Sequence, residues 1–191
     1  MQKISALIFA VLICFSLSTE SFALPKGAVL IDSENGRVLF EYNKDEKLPM
    51  ASTTKIMTAL IVLEEENSDE YFSVSKADVT VEGSSMGLLA GDRVTLNDLL
   101  YGLMLASGND AANAAAVRVS GSIDAFCQLM NQKAEEMGLV NTRFKTPSGL
   151  DDDEHHTTAN ELAIIAYNAM KNEDFKQMLL TKYMMHLGTI F

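Results

Sequence analysis

An almost entirely apolar segment at residues 56–63 places the strongest constraint on the fold of this chain. Seven of its eight residues are apolar: Ile56, Met57, Ala59, Leu60, Ile61, Val62 and Leu63. At helical spacing these side chains point in every direction, so the segment has no face suited to water. The pattern therefore predicts a central helix that other elements must surround.

A serine and a lysine stand immediately before this helix, at Ser52 and Lys55. Positions i and i+3 of a helix share a face, so the lysine amine can reach the serine hydroxyl. A buried amine tends to lose its proton, and a neutral amine can take the hydroxyl proton and activate the serine oxygen. We therefore predict Ser52 as a nucleophile and Lys55 as its base. The alternative is a serine N-cap beside an exposed lysine, because four-residue patterns also arise by chance.

A second polar group, Ser107 and Asn109, separates two apolar helical patterns. The first pattern begins after Thr95, a predicted N-cap, and an alanine-rich pattern follows the polar group. Polar side chains between buried helices suit a cleft, where Ser107 can relay a proton to a leaving amine and Asn109 can hold a peptide backbone. The alternative is an ordinary turn, with Gly108 as a C-cap and Asn109 as the next N-cap.

Other local patterns predict the remaining elements. Strand-like runs at residues 28–31 and 38–42 flank a Ser-Glu-Asn-Gly bend at 33–36, which is typical of a β-hairpin. Residues 68–93 contain several glycines and predict loops and short strands. Thr158 and Glu161 have the spacing of a capping box, so we predict a helix from there through Met170.

Residues 1–23 predict a signal peptide. Lys3 precedes an apolar run at 4–17, and small residues at Ser21 and Ala23 suit a signal peptidase. The run is short for a membrane span, so we expect cleavage after Ala23 and export from the cytoplasm. Residues 24–191 then form one domain. Cys127 is the single cysteine of that domain, which excludes an internal disulfide and favours burial as a small apolar side chain.

Charge argues against several classes of partner. The net charge of −11 makes nucleic acid and anionic lipid poor ligands for this chain. An acidic run at 151–154 precedes His155 and His156 and raises the possibility of a metal site. A charge run after Pro147-Ser148-Gly149 is more typical of a solvated loop, so we assign no metal and interpret His155 as a structural hydrogen-bonding residue.

Taken together, the motifs resemble those of low-molecular-weight D-alanyl-D-alanine carboxypeptidases, the penicillin-binding serine peptidases of the bacterial cell wall. Residues 51–58 read Ala-Ser-Thr-Thr-Lys-Ile-Met-Thr, and residues 107–112 read Ser-Gly-Asn-Asp-Ala-Ala. Further matching segments lie at 137–139, 142–144, 147–150 and 155–159. The resemblance covers nearly all of residues 24–181.

The resemblance implies an α+β fold of the β-lactamase/transpeptidase type, an antiparallel sheet with a helical region. It implies removal of the terminal D-Ala from D-Ala-D-Ala ends of peptidoglycan stem peptides, through an acyl-enzyme on Ser52. Lys55 would be the general base, Ser107 would assist proton transfer, and Asn109 would bind the substrate and orient Lys55. It also implies β-lactam antibiotics as covalent inhibitors, an extracytoplasmic location in a bacterium, and no metal or organic cofactor.

One family motif is missing from the sequence. The family's third motif, Lys-Thr-Gly, lies on a sheet strand beside the cleft, and the 191 residues contain no such triplet. By resemblance that strand binds the substrate carboxylate and supplies an oxyanion-hole N–H, whose loss typically slows a reaction about 100–1,000-fold. We therefore expect residues 24–191 to be an incomplete penicillin-binding domain that lacks its last sheet strands.

Two other classes of function stay open at this stage. The missing motif is compatible with an inert fragment or a non-catalytic binding module. A β-lactamase would share Ser52 and Lys55, but no equivalent of the deacylating glutamate motif of class A enzymes occurs between Ser107 and Phe191.

Overall fold

The computed structural model describes residues 24–65, 67–150 and 152–186, with side chains described as far as residue 181. The predicted signal peptide lies outside the described residues. Within the described ranges, no helix combines the length and apolarity needed to cross a bilayer.

A buried helix occupies the centre of the molecule, as the apolar pattern predicts. This helix, α1 (Lys55–Val62), follows a 3-10 turn at Ala51–Thr54, and seven of its eight residues are buried. The longer helices that pack around α1 or beside its neighbours are α3 (Leu96–Leu105), α4 (Asn109–Ser120), α5 (Ile123–Glu136), α6 (Ala159–Ala169) and α7 (Glu173–His186). Four of them, α3 to α6, contact α1 directly.

The predicted hairpin is confirmed, with strands β1 (Ala28–Ile31) and β2 (Val38–Tyr42) in antiparallel register. Leu30 faces Phe40 across the pair, and these side chains are 55% and 57% exposed. β1 packs on α6, whereas every residue of β2 is exposed. The hairpin therefore covers the helices with one strand and leaves an apolar surface open.

A second small sheet lies in the stretch where loops and short strands were expected. Strand β3 (Phe72–Ser73) pairs antiparallel with β4 (Arg93–Val94), and helix α2 (Lys76–Val79) lies between them. The helix was not predicted. A capping box between Ser75 and Asp78 begins this helix. Its four residues are too few to give a periodic apolar pattern in the sequence. The α+β class is confirmed.

Two predicted helix starts have different outcomes. Thr95 caps α3, as predicted, and Asp98 completes a reciprocal capping box with it. Thr158 caps α6 by accepting the Glu161 N–H, but the predicted capping box is wrong in its second half. The Glu161 carboxylate instead accepts hydrogen bonds from the Asn141 backbone N–H, at 3.0 and 3.1 Å to its two oxygens, and from the Thr142 hydroxyl.

The core lies between the helices and includes the predicted buried cysteine. The largest fully buried side chains include Phe126 and Phe144. Cys127 is buried, and burial raises the pKa of its thiol to about 11. The thiol is therefore protonated at neutral pH and behaves as a small apolar group.

Glu161→Gln should lower the free energy of unfolding by about 1–3 kcal/mol, because one oxygen that accepts hydrogen bonds becomes a donor in a buried site. Urea unfolding monitored by circular dichroism measures this change. Glu173→Gln is the matched control, since its side chain is 74% exposed and its ion pair with Lys176 contributes about 0.5 kcal/mol or less. Equal stability of the two variants would contradict a stabilising role for the Glu161 contacts.

Candidate active site

The 3-10 turn places Ser52 at the surface and Lys55 in the interior. Ser52 is exposed, whereas Lys55, the first residue of α1, is 3% exposed. The Lys55 Nζ lies 3.5 Å from the Ser52 Oγ, so the two atoms are within reach of a proton transfer. Ala51, just before the serine, has a φ of +44°, an unfavourable value for a residue with a Cβ. The turn that presents Ser52 is therefore strained.

The Lys55 amine has two other close neighbours, and both are acceptors. Nζ donates to the Asn109 Oδ1 at 2.8 Å and to the Ser148 carbonyl at 2.7 Å. A neutral amine has two N–H groups and one lone pair. With both N–H groups given to these acceptors, the lone pair remains for Ser52, which is the arrangement a base requires.

Burial changes the protonation of this amine. It lowers the pKa of Lys55 from 10.5 to about 8, because the charged form loses its hydration inside the protein. At pH 7 about a tenth of the molecules then carry a neutral lysine, and at pH 8 about half do. An ordinary surface lysine would be almost entirely charged at both values.

Asn109 links the lysine to a neighbouring loop. It is the first residue of α4, and Gly108 is the N-cap, so the alternative of Asn109 as an ordinary N-cap is wrong. The Asn109 Nδ2 donates to the Glu82 carbonyl at 2.7 Å, and its backbone N–H donates to the Ser84 carbonyl at 2.8 Å. Its Oδ1 thus points at Lys55 in a fixed orientation. Contact of Asn109 with a substrate stays a prediction.

Ser107 occupies the turn between α3 and α4, with a φ of +54°. Its side chain is partly exposed. Among the hydrogen bonds of the described residues, none joins Ser107 to Ser52 or to Lys55. The structure therefore brings Ser52, Lys55 and Asn109 into one hydrogen-bonded group. Ser107 precedes Asn109 by two positions in the chain but is not hydrogen-bonded to Ser52 or Lys55 among the described residues. The relay role of Ser107 stays a prediction.

A residue that sequence reasoning missed, Asp110, fixes the loop beside this group. Its fully buried carboxylate accepts from the Ser85 hydroxyl at 2.6 Å and from the backbone N–H groups of Met86, Gly87 and Leu88. Burial by itself would raise the pKa of Asp110, but these hydrogen bonds lower it below the ordinary value. The sequence signal that could have indicated this role was an aspartate at the start of a predicted helix, with serines and glycines upstream that could donate to it.

The second acceptor of Lys55, the Ser148 carbonyl, was also missed. It is a backbone atom, so its position depends on the path of the chain and not on the side chain at 148. The carbonyl of the preceding Pro147 accepts from the Thr58 hydroxyl at 2.6 Å, one turn further along α1. Residues 147 and 148 are thereby attached to α1 at two points.

Cavities of about 560 and 310 Å³ lie next to the site. Ala51 and Gly149 are among the residues lining the larger cavity, and Asn109 and Ser148 are among those lining the smaller one. In the parts of the chain that the structure describes, no group of three or more histidine, cysteine, aspartate and glutamate side chains is arranged to hold a metal ion. His155 is buried, as expected for a structural hydrogen-bonding residue.

Comparison with known proteins establishes the family. A model of the D-alanyl-D-alanine carboxypeptidase family matches residues 19–187, so this chain belongs to that family. The Bacillus subtilis D-alanyl-D-alanine carboxypeptidase DacF is 40% identical over 153 residues, which are 78% of this chain and 39% of that protein. The Escherichia coli protein DacC is 40% identical over 148 residues, 72% of this chain and 37% of DacC. The chain thus spans less than half the length of these relatives.

Solved structures show the same fold. A D-alanyl-D-alanine carboxypeptidase from Mycobacterium tuberculosis aligns with a TM-score of 0.77 at 33% identity, over 83% of this chain and 62% of that one. The carboxypeptidase DacD from Francisella tularensis aligns with a TM-score of 0.75 at 34% identity, over 80% of this chain and 38% of that one. The predicted transpeptidase-type α+β fold is therefore confirmed.

Asn109→Asp should raise the pKa of Lys55 above its value of about 8, because a carboxylate beside Nζ stabilises the charged amine. NMR titration of ¹³C-labelled lysine side chains measures the change, with the Lys55 signal assigned from its loss in Lys55→Arg. Asn113→Asp, one turn further along α4, is the control and should leave the titration of Lys55 closer to wild type. A Lys55 signal that titrates near 10.5 in the wild-type chain would contradict the account.

Proposed function

We propose that this protein removes the terminal D-Ala from peptidoglycan stem peptides that end in D-Ala-D-Ala, by way of an acyl-enzyme on Ser52. The observation that carries the proposal is the placement of the Lys55 amine, which has two acceptors for its N–H groups and Ser52 at 3.5 Å. Membership of the D-alanyl-D-alanine carboxypeptidase family supplies the substrate class.

In the acylation step, Ser52 Oγ attacks the carbonyl carbon of the penultimate D-Ala while its proton moves to the Lys55 Nζ. Collapse of the tetrahedral intermediate breaks the peptide bond, and the leaving D-Ala amine takes a proton from Lys55 through Ser107. Water then attacks the ester on Ser52, with Lys55 again accepting a proton, and releases the shortened peptide. Asn109 holds Lys55 in place and offers its remaining Nδ2–H to the substrate backbone.

β-Lactam antibiotics fit the same site as covalent inhibitors. A strained cyclic amide acylates the serine as the peptide does, but the fragment remains attached and resists water. Slow release of the bound fragment would support the carboxypeptidase, and rapid turnover would support a β-lactamase.

A non-catalytic module is the second candidate. The 191 residues contain no Lys-Thr-Gly, the motif that supplies an oxyanion donor in this family. The two candidates differ in whether Ser52 becomes acylated. The proposed setting in both cases is the cell wall outside the cytoplasmic membrane of a bacterium, with no nucleic acid partner and no metal or organic cofactor.

Fluorescent penicillin should label Ser52, and Ser52→Ala should abolish the label, because no other serine has a buried amine at proton-transfer distance in the described part of the chain. Gel fluorescence and mass spectrometry of the labelled peptide measure this. The control is Ser85→Ala, whose hydroxyl bonds to Asp110 and is not the proposed nucleophile. Labelling that survives Ser52→Ala would overturn the nucleophile assignment.

A fusion separates the two candidates. In the fusion, residues 1–186 of this chain are joined to the part of B. subtilis DacF that follows the segment matched by this chain. By the family pattern, that part carries the Lys-Thr-Gly strand. The fusion should label about 100–1,000-fold faster than the 191-residue chain, the usual effect of one oxyanion donor. A fusion that folds cooperatively and still does not label would support the non-catalytic module.

Export should leave a mature N-terminus at Leu24, because residues 1–23 have the charged start, apolar run and small residues of a cleaved signal. N-terminal peptide mass spectrometry of the extracytoplasmic fraction of the native host checks this. The Ala23→Arg variant is the control and should accumulate uncleaved, because a large charged side chain does not fit signal peptidase. Wild-type protein that retains Met1 in the membrane would contradict cleavage.

A further inference from the structure

The turn that carries Ser52 is held by two residues that the mechanism does not use, Gly149 and His155. The Thr54 hydroxyl lies 2.7 Å from the His155 Nε2, and both residues are buried, at 1% and 4% exposure. Thr54 stands between Ser52 and Lys55, immediately before the lysine. A contact that fixes Thr54 therefore also restrains the backbone of both reactive residues, which lie one and two positions away in the chain.

The hydrogen bonds of His155 define its protonation. The Lys145 backbone N–H donates to the His155 Nδ1 at 3.0 Å, so Nδ1 carries no proton. The imidazole proton is then on Nε2, which donates to the Thr54 Oγ1. The ring also meets Phe144 edge to face, with centroids 5.9 Å apart. His155 is thus a neutral, oriented donor attached to the core.

Gly149 supports the same turn through its backbone. Its φ is +84°, and a Cβ at this position would collide with the Ala51 carbonyl and lie 2.8 Å from the Thr54 Oγ1. Ala51 itself has the unfavourable φ of +44°. A strained residue of this kind persists only where its surroundings hold it, and here Gly149 contacts the start of the turn while His155 bonds to its end.

We propose that His155 is a positioning residue for acylation: its Nε2–H holds Thr54, and thereby keeps the strained turn in the orientation that places Ser52 Oγ near Lys55 Nζ. The inference rests on the proposed function, because acylation is the step that needs this distance. Without the hydrogen bond the turn relaxes, the reactive pair separates, and water reaches Lys55. Misplacement of a reacting group by about 1 Å can cost about 100-fold in rate.

Two pairs of variants test the proposal in the full chain. The amide nitrogen of Gln in His155→Gln can occupy the place of Nε2 and donate to Thr54. The shorter Asn side chain of His155→Asn can place its Oδ1 near the position of Nδ1 but does not reach Thr54. Thr54→Ser keeps the hydroxyl, and Thr54→Val removes it with little change of shape. Each variant is assayed for the concentration dependence of penicillin labelling, the thermal unfolding midpoint, and the NMR titration of Lys55.

His155→Asn and Thr54→Val should lower the maximal acylation rate about 10–100-fold, with little change in the penicillin concentration that gives half the maximal rate. Their Lys55 signals should titrate at higher pH than in the wild type. His155→Gln and Thr54→Ser should recover most of the rate and the lower titration. All measurements are made well below the unfolding midpoints, so that a purely stabilising role would leave the rates unchanged.

Equal acylation rates for His155→Asn and His155→Gln would overturn the proposal, as would equal rates for Thr54→Val and Thr54→Ser. If one histidine variant does not fold, the threonine pair gives the answer. If neither the wild-type chain nor the folded DacF fusion labels, the proposed function is refuted, and the Lys55 titrations then decide the positioning claim on their own. Identical Lys55 titrations in all folded variants would contradict it.

Discussion

The burial of one amine is the constraint on which the rest of this structure depends. Lys55 begins a helix whose remaining residues are almost all buried, so its amine cannot reach bulk water without leaving the core. A buried ammonium or amine needs acceptors, and leaving its N–H groups unpaired would cost more than their hydrogen bonds contribute. The chain supplies these acceptors from Asn109 and from the Ser148 carbonyl. Three distant parts of the sequence therefore meet at one atom.

A wider layer of polar contacts surrounds that atom. Asp110 binds a row of backbone N–H groups and fixes the loop against the start of α4. Glu161 does the same for the turn at Asn141. His155 and Gly149 act on the Ser52 turn. In each case the buried groups hold a loop or a short turn of backbone through specific hydrogen bonds or contacts.

Local signals account for what the sequence could predict. The hairpin, the buried α1 and the Thr95 cap depend on residues close together in the chain, and each was predicted correctly. The pairing of Ser52 with Lys55 follows from helical spacing in the same way. The capping-box pattern failed at Glu161 because a tertiary partner, the Asn141 backbone, competes for its carboxylate. Backbone acceptors such as the Ser148 carbonyl have no sequence signal at all, since any residue carries the same atom.

The pH dependence of Ser52 acylation tests the central claim most directly. If Lys55 accepts the serine proton, only molecules with a neutral amine react, and burial places that transition near pH 8. The rate of penicillin labelling should then rise about tenfold per pH unit below pH 7, bend near pH 8, and level off above pH 9. A rate that is constant from pH 6 to pH 9, or one that keeps rising to the ordinary lysine value of 10.5, would contradict a buried neutral base at Lys55.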